Sequence, residues 1–192
     1  MPIDLRATLE AALTKGSLHF YLDASVLVDI VRPDTPSDSR ELLEMALANG
    51  WTCTSSVFAR IEALDTVQTK EWLRQGIATG RDPKILVRHM WERTLAPESL
   101  AAVRDDFLKG LAQVEEFIRW RRLDRLGWEE AMTLATTTNI WAPDCVHVAT
   151  ALREGCSVLV TSDSFLAKTT REKTVASDTP ERVLTELRSL VR

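Results

Sequence analysis

The chain has 192 residues, of which 45% are hydrophobic and 27% are charged, and its formal net charge is −4. This length favours one domain with a buried core, and the composition excludes a disordered chain. No apolar run reaches the roughly 18 residues of a membrane span, and the N-terminal residues 1–6 contain no apolar signal segment, so we expect a cytoplasmic protein without a membrane partner.

The charge and the cysteines limit the kinds of site. Nucleic-acid binding usually appears as a basic excess, but a carboxylate cluster that binds divalent cations adds negative charge to the total. Cys53, Cys145 and Cys156 form no C-x-x-C pair and no zinc-site spacing, so we interpret them as core residues. The sequence therefore gives no sign of a zinc site and leaves nucleic-acid binding open.

The first half of the chain predicts alternating helices and strands. An amphipathic segment after Asp4 ends at Gly16, and short apolar runs bounded by Gly or Asp are typical of buried strands. The predicted elements are a helix at 4–15, a strand at 18–22, helices at 26–31 and 37–49, a strand at 51–54 and a helix at 57–74. This alternation predicts an α/β fold with a parallel sheet.

The second half predicts a helical middle and two further strands. Pro83 and Pro97 each suit the first turn of a helix. The run 157–161 is the clearest strand, because it is short, apolar and β-branched. The other predicted elements are a long helix at 100–126 broken near Gly110, helices at 128–138 and 144–154, one helical turn at 164–168, an edge strand at 173–175 and a helix at 180–191.

Four acidic residues stand where ligands bind in such a sheet. Asp23 follows the first strand, and Asp163 follows the strand at 157–161. Glu62 lies on the helix after the second strand, and Asp144 lies in a first helical turn, where the helix dipole favours a carboxylate. Because ligands bind outside the carboxyl ends of parallel strands, we expect the four acids to form one site.

A cluster of carboxylates is suited to divalent metal chemistry. Neighbouring carboxylates repel one another and raise one another's pKa unless cations lie between them. Oxygen ligands of this kind are preferred by Mg²⁺ and Mn²⁺. One or two such ions can lower the pKa of a bound water and neutralise the charge of a phosphodiester during its hydrolysis.

The segments around the four acids resemble the motifs of PIN-domain nucleases. In chain order, they are an Asp followed two residues later by Ser (Asp23 to Leu27), a Ser with a Glu six residues later (Ser56 to Glu62), an Asp that opens an Ala-rich helix (Pro143 to Leu152) and Thr-x-Asp after a strand (Leu159 to Phe165). The resemblance covers roughly residues 18 to 175.

This resemblance implies a three-layer PIN-like α/β fold, with four or five parallel strands and helices on both faces, in a single domain of residues 1–192. It implies a Mg²⁺- or Mn²⁺-dependent endoribonuclease that cleaves single-stranded or structured RNA. Asp23, Glu62, Asp144 and Asp163 match the catalytic metal ligands, and Ser25 and Thr161 match positions that support the site by hydrogen bonds. Many bacterial members are VapC-like toxins of toxin–antitoxin pairs, so a small antitoxin protein and a homodimer are expected partners.

Two regions are additional to the compact toxins of this family. One is the N-terminal helix at 1–16, and the other is a helical insertion at about 76–138. These helices could cover the active site, form a substrate groove or provide a dimer face.

Other polar residues near the motifs have weaker interpretations. His147 lies one turn after Asp144 and could face the site, but we favour its interpretation as a packed helix histidine. Basic residues can pair with substrate phosphates. The candidates are Lys168, Arg171 and Lys173, which follow Asp163, and Arg119, Arg121 and Arg122, which flank Trp120 and are equally explained as an exposed helix face.

Other function classes fit the sequence less well. A phosphatase of the haloacid dehalogenase kind needs a second Asp two residues after the first, where this chain has Ser25. The chain contains no P-loop motif, and a flap-type DNA nuclease would carry more acids and longer insertions. The alternative that stays open is a non-catalytic PIN-fold module that binds RNA or a protein.

Overall fold

The computed structural model describes residues 2–32, 37–171 and 174–191. The strands are β1 (His19–Leu22), β2 (Thr52–Ser56), β3 (Ile118–Arg121), β4 (Val158–Val160) and β5 (Ala176–Asp178). The helices are α1 (Leu5–Thr14), α2 (Ala24–Ile30), α3 (Asp38–Ala48), α4 (Val57–Ala78), α5 (Pro83–Arg88), α6 (Pro97–Ala112), α7 (Arg125–Thr137), α8 (Ala142–Arg153), α9 (Ser164–Arg171) and α10 (Pro180–Leu190). Short 3-10 turns lie at Met90–Glu92 and Glu115–Phe117.

The five strands form one parallel sheet in the order β3-β2-β1-β4-β5. The chain runs outward from β1 through β2 to β3, and then returns to β4 on the other side of β1. The strand order therefore reverses between β1 and β4, and such a switch point opens a crevice at the carboxyl ends of the two strands. The expected parallel sheet is confirmed, with five strands.

Helices cover both faces of the sheet. Successive side chains of a strand point to opposite faces, and in β1 Phe20 and Leu22 belong to one buried cluster while Tyr21 belongs to another. The first cluster includes buried residues of α1, α2, α3, α4, α6 and α10, and the second includes those of α7, α8 and α9. This arrangement confirms the three-layer α/β architecture.

Side-chain caps begin several helices where the sequence predicts them. Asp4 accepts a hydrogen bond from the amide of Ala7 at 2.9 Å, and Ser56 accepts one from the amide of Ala59 at 2.9 Å. Ser37 caps α3 in the same way. These bonds satisfy amides that the first turn of a helix leaves without partners.

The long helix predicted at 100–126 is wrong. Helix α6 ends at Ala112, and β3 follows a single 3-10 turn. Ile118 is buried and Trp120 half-buried, whereas Arg119 between them is exposed, so the segment has the period-2 pattern of a strand. The helix does not break at Gly110, where a Cβ atom would lie 2.1 Å from the carbonyl oxygen of Val31.

The end of the chain differs from the prediction in two details. Helix α9 has eight residues rather than one turn. The edge strand expected at 173–175 is instead β5, which begins after Val175; Lys173 lies outside the described residues. The misplacement arises because Val175 is buried in the core without being paired in the sheet. None of the described helices is long and apolar enough to cross a bilayer.

Candidate active site

Asp23 lies at the switch point, directly after β1. Its amide donates to the carbonyl of Val160 in β4 at 3.1 Å. The side chain is only 6% exposed and does not cap α2. Its Oδ2 atom accepts hydrogen bonds from Ser25 Oγ at 2.9 Å and Thr161 Oγ1 at 2.7 Å. Asp23 is therefore held in one orientation by the two hydroxyl residues that the sequence assigned to support it.

Asp163 is tied to the same hydrogen-bond network through its backbone. Its amide donates to Thr161 Oγ1 at 3.0 Å. Its Oδ1 atom accepts from the amides of Phe165 and Leu166 at 2.8 and 3.1 Å and so caps α9. The residue is exposed, and within the described chain its Oδ2 atom has no hydrogen-bond partner. One carboxylate oxygen is thus used by the fold, and the other is available.

His147 connects two of the acids from the opposite face of the sheet. Its Nε2 atom lies 2.5 Å from Glu62 Oε2 and 3.2 Å from Asp23 Oδ1. Because an ionised carboxylate can only accept, Nε2 donates to Glu62. Burial lowers the pKa of His147, but the charges of Asp23 and Glu62 outweigh burial, and the pKa is raised overall. This favours a positively charged imidazole between two acids.

His147 is packed in the core, as favoured from the sequence, and it also faces the site. It is 1% exposed, and Nδ1 lies 2.8 Å from the hydroxyl of Tyr21, while the Phe58 ring packs 5.6 Å from the imidazole. The packing is real, but the ring also contacts two of the predicted ligands. The available signal was the spacing, because residues three apart on a helix are neighbours and Asp144 comes three residues earlier.

The pKa of Asp144 depends on its burial and on the charges of the other site residues. Asp144 lies in the first turn of α8 and is half-buried. Burial and then the charge of Asp23 raise its pKa to about 6, with further increases from Asp163 and Glu62 and a decrease from His147. The charges of Asp23, Asp163 and Glu62 thus all act on Asp144, and His147 offsets them only in part.

This set of donors fits a hard divalent cation. Carboxylate oxygens are the groups that Mg²⁺ and Mn²⁺ prefer, and mutual repulsion of the kind felt by Asp144 is relieved by a cation. In the described part of the chain, however, no three His, Cys, Asp or Glu side chains already stand as a finished metal site. His147 Nε2 contacts one carboxylate oxygen of Asp23 and one of Glu62. The second carboxylate oxygen of Glu62 has no hydrogen-bond partner among the described residues, so it is available to a ligand while the first contacts His147.

The basic residues after Asp163 have different positions. Lys168 is exposed on α9, the helix that Asp163 caps, and it makes no ion pair with any described residue. Arg171 donates to Asp178 Oδ2 at 2.8 Å and is therefore engaged within the fold. Lys173 cannot be placed, since it lies outside the described ranges. Lys168 is thus the member of this group that remains suited to a substrate phosphate.

The basic residues around Trp120 lie on the edge strand β3 and just after it. Arg121 Nε donates to Glu154 Oε2 at 2.7 Å. Burial lowers the pKa of His19, and Arg119 and Arg121 lower it further. In the sheet, Arg119 pairs with Thr54, and Arg121 pairs with Ser56, the last residue of β2. Arg122 is exposed after β3, and among the described residues no ion pair joins these three arginines to the four acids.

Comparison with known proteins gives a likeness at the level of the fold. No protein-family model matches the sequence, and no curated protein is significantly similar to it. One similar solved structure is VapBC2 from Rickettsia felis bound to a DNA fragment from its promoter, with 15% sequence identity and a TM-score of 0.50 over 84% of this chain and 98% of that chain. Another is FitAcB from Neisseria gonorrhoeae, with 16% identity and a TM-score of 0.49 over the same shares. Together with the five-stranded parallel sheet, the likeness to VapBC2 shows that this chain has a PIN-like fold.

Proposed function

We propose that this protein is a metal-dependent endoribonuclease that hydrolyses RNA phosphodiester bonds. The observation that carries the proposal is the hydrogen-bonded arrangement at the switch point of the sheet, where Thr161 Oγ1 donates to Asp23 and accepts from the amide of Asp163. Burial and three neighbouring carboxylates also raise the pKa of Asp144 to about 6. Perturbed carboxylates in such a crevice are typical of functional sites. Asp23, Glu62, Asp144 and Asp163 would hold Mg²⁺ or Mn²⁺.

The protein's own groups would prepare this site in defined ways. Ser25 and Thr161 fix the orientation of Asp23 by hydrogen bonds. The Thr161 hydroxyl also accepts from the amide of Asp163, so it holds both acids in position relative to each other. Asp144 forms no hydrogen bond with any described group and is therefore available to a ligand. A bound divalent ion would lower the pKa of a water molecule and neutralise charge on the phosphodiester.

We extend the proposal to a toxin of a toxin–antitoxin pair with a small protein inhibitor. The support is the likeness of fold to the VapBC2 structure, which spans almost all of that chain. A homodimer is part of the same proposal. If a small DNA-binding protein is encoded next to this chain, co-expression of the two, followed by co-purification and an assay of RNA cleavage, would test for a cognate antitoxin.

A non-catalytic module that binds RNA or a protein is the second candidate. The position of His147 favours it, because the imidazole already compensates Asp23 and Glu62 without a metal ion. If that pairing is permanent, the acids serve the stability of the fold and hydrolysis does not occur.

Cleavage of a mixed, end-labelled RNA pool separates the two candidates. Wild type would be compared with Asp144→Asn in Mn²⁺, in Mg²⁺ and in EDTA, with Asp105→Asn, an exposed acid of α6, as the matched control. The nuclease proposal expects metal-dependent cutting by wild type and Asp105→Asn, and none by Asp144→Asn. No cutting by folded, inhibitor-free wild type with either metal would favour the binding module.

A further inference from the structure

Large hydrophobic side chains are exposed beside the acids. In the described chain, five such residues are at least 60% exposed: Ile61 (65%), Trp91 (72%), Met132 (68%), Trp141 (70%) and Phe165 (60%). Three of them lie within three residues of a site acid, namely Ile61 before Glu62, Trp141 before Asp144 and Phe165 after Asp163. We call Ile61, Trp141 and Phe165 the apolar rim. Its members come from three separate segments, namely α4, the N-cap of α8 and α9.

Backbone contacts place the two aromatic members at the same edge of the sheet as the acids. Trp141 is the N-cap of α8, and its carbonyl accepts from the amide of Cys145 at 3.0 Å, so it belongs to the same first turn as Asp144. The amide of Phe165 donates to Asp163 Oδ1 at 2.8 Å, which places Phe165 in the first turn of α9. Both aromatic residues therefore flank the acids at helix N-termini.

The fold does not use these aromatic rings for its core. The inward positions of α8 and α9 are filled by other side chains, such as Cys145, Val148 and Leu166, which are at most 2% exposed. Aromatic surface left in water is unfavourable, and a ring that stays exposed beside a group of acids can be retained for a ligand. Substitution of Trp141 or Phe165 should accordingly leave the fold intact.

The surroundings of the rim indicate the chemistry of its ligand. Lys168 lies three residues after Phe165 on α9, which puts the two on neighbouring surface positions of that helix. Lys168 is exposed and has no ion pair among the described residues. Flat aromatic faces, a free ammonium group and positive helix N-termini together suit a ligand that has both π-faces and phosphates.

We propose that the apolar rim and Lys168 bind unpaired nucleotides on either side of the phosphodiester held at the four acids. This inference rests on the proposed nuclease function and narrows its substrate to single-stranded RNA segments. Bases in a duplex are stacked on one another and cannot stack on a side chain, whereas splayed bases of a single strand can. Trp141 and Phe165 would each receive one base, and Lys168 would contact a neighbouring phosphate.

Binding can be measured without cleavage. In an Asp144→Asn background with Mg²⁺, fluorescence anisotropy would follow a short labelled single-stranded RNA and the same strand in a duplex. Trp141→Ala should weaken single-strand binding at least about fivefold, the lower end for one lost stacking contact, and Trp141→Phe should restore most of it. Trp91→Ala is the matched control, because Trp91 is equally exposed and its recorded ring contact is with His89.

Further variants separate stacking from charge. Phe165→Ala should also weaken single-strand binding, with no change in duplex binding. Lys168→Ala should lower the salt dependence of binding, with a slope in log Kd against log salt reduced by about one. Equal loss of single-strand and duplex binding in Trp141→Ala would contradict a stacking role.

The outcomes distinguish this inference from the nuclease proposal. Metal-dependent cleavage by wild type, combined with unchanged RNA affinity in Trp141→Ala and Phe165→Ala, would refute RNA binding by the apolar rim and leave the nuclease proposal standing. The same result is expected if the apolar rim contacts a protein partner instead. Single-strand binding that depends on Trp141, combined with no cleavage by wild type, would refute the nuclease proposal and support RNA binding by the apolar rim. Binding of neither RNA form would refute both.

Discussion

At the scale of single residues, the site balances negative charge with one imidazole. His147 offsets Asp23 and Glu62, but Asp144 lies half-buried beside all of them with no hydrogen bond of its own among the described residues. Its pKa of about 6 means that the folded protein resists ionisation of this carboxyl more than the unfolded chain does. Without a cation, the wild-type fold should therefore be strained at neutral pH.

Asp144→Asn should stabilise the metal-free protein at pH 7.5. Because the folded pKa is raised, the contribution of Asp144 to stability is fully present below its unfolded pKa of about 3.9 and is lost as pH rises through about 6. The shift corresponds to about 3 kcal/mol at most, and to about 1 kcal/mol after solvent screening of a partly exposed group. Urea unfolding of both proteins in EDTA at pH 4 and pH 7.5 measures the difference. A gain that is equal at both pH values would contradict this account.

Much of the site could be predicted from single residues, and some of it could not. Asp23, Asp144 and Asp163 follow strand ends or open helices, so local sequence places them at the edge of the sheet. For His147, the spacing from Asp144 indicated a position near that acid, but not the contact with Glu62, which joins α8 to α4. That contact depends on tertiary packing, which periodicity along one helix does not encode.

At the scale of elements, capping and apolar periodicity predicted nearly all helices, and the edge strand β3 was missed. Its sequence, Ile118-Arg119-Trp120-Arg121, offers only two apolar residues, and it follows an amphipathic helix after a short turn. An edge strand that is buried on only part of its surface has a weak hydrophobic pattern in its sequence, whereas the fully buried β4 is recognised from its continuous apolar run. Strand β3 becomes visible only through its pairing with β2.

Gly110 marks a close contact between two elements rather than a helix break. A Cβ atom there would lie 2.1 Å from the carbonyl oxygen of Val31, at the end of α2. Gly110→Ala should therefore force α6 away from α2 and destabilise the protein by about 1–3 kcal/mol, as overpacking does, even though Ala favours helix by about 1 kcal/mol. Urea unfolding at neutral pH measures this change.

Gly76→Ala is the matched control for Gly110→Ala. Gly76 is also helical, in α4, but its added Cβ would meet only side-chain atoms of Leu86, at 2.7 Å and beyond. A side chain can rotate where a backbone carbonyl cannot, so this variant should lose less stability than Gly110→Ala. A larger loss of stability in Gly76→Ala would show that the contact between α6 and α2 is less tightly packed than the contact of Gly76 with Leu86.

At the scale of the whole molecule, the strand order brings distant segments to one point. Asp23 follows β1, Glu62 lies on α4, Asp144 opens α8 and Asp163 follows β4. The order β3-β2-β1-β4-β5 makes β1 and β4 neighbours although more than half of the chain separates them. A ligand shared by the four acids would therefore cross-link segments from most of the fold, and its binding energy would appear as global stability.

Mn²⁺ should raise the melting temperature of the wild-type protein relative to EDTA. A ligand that binds only the folded state at 100 times its Kd adds about 2.7 kcal/mol, which corresponds to roughly 5–10 °C for a domain of this size. Glu62→Gln and Asp144→Asn should each reduce the shift, because each removes one of the negative charges that attract the ion, whereas Asp105→Asn should retain it. The change in melting temperature does not depend on catalysis, because it is measured without RNA. An equal Mn²⁺ shift in Glu62→Gln and wild type would mean that Glu62 remains bound to His147 when the ion binds, and that the metal site is built from the three aspartates alone.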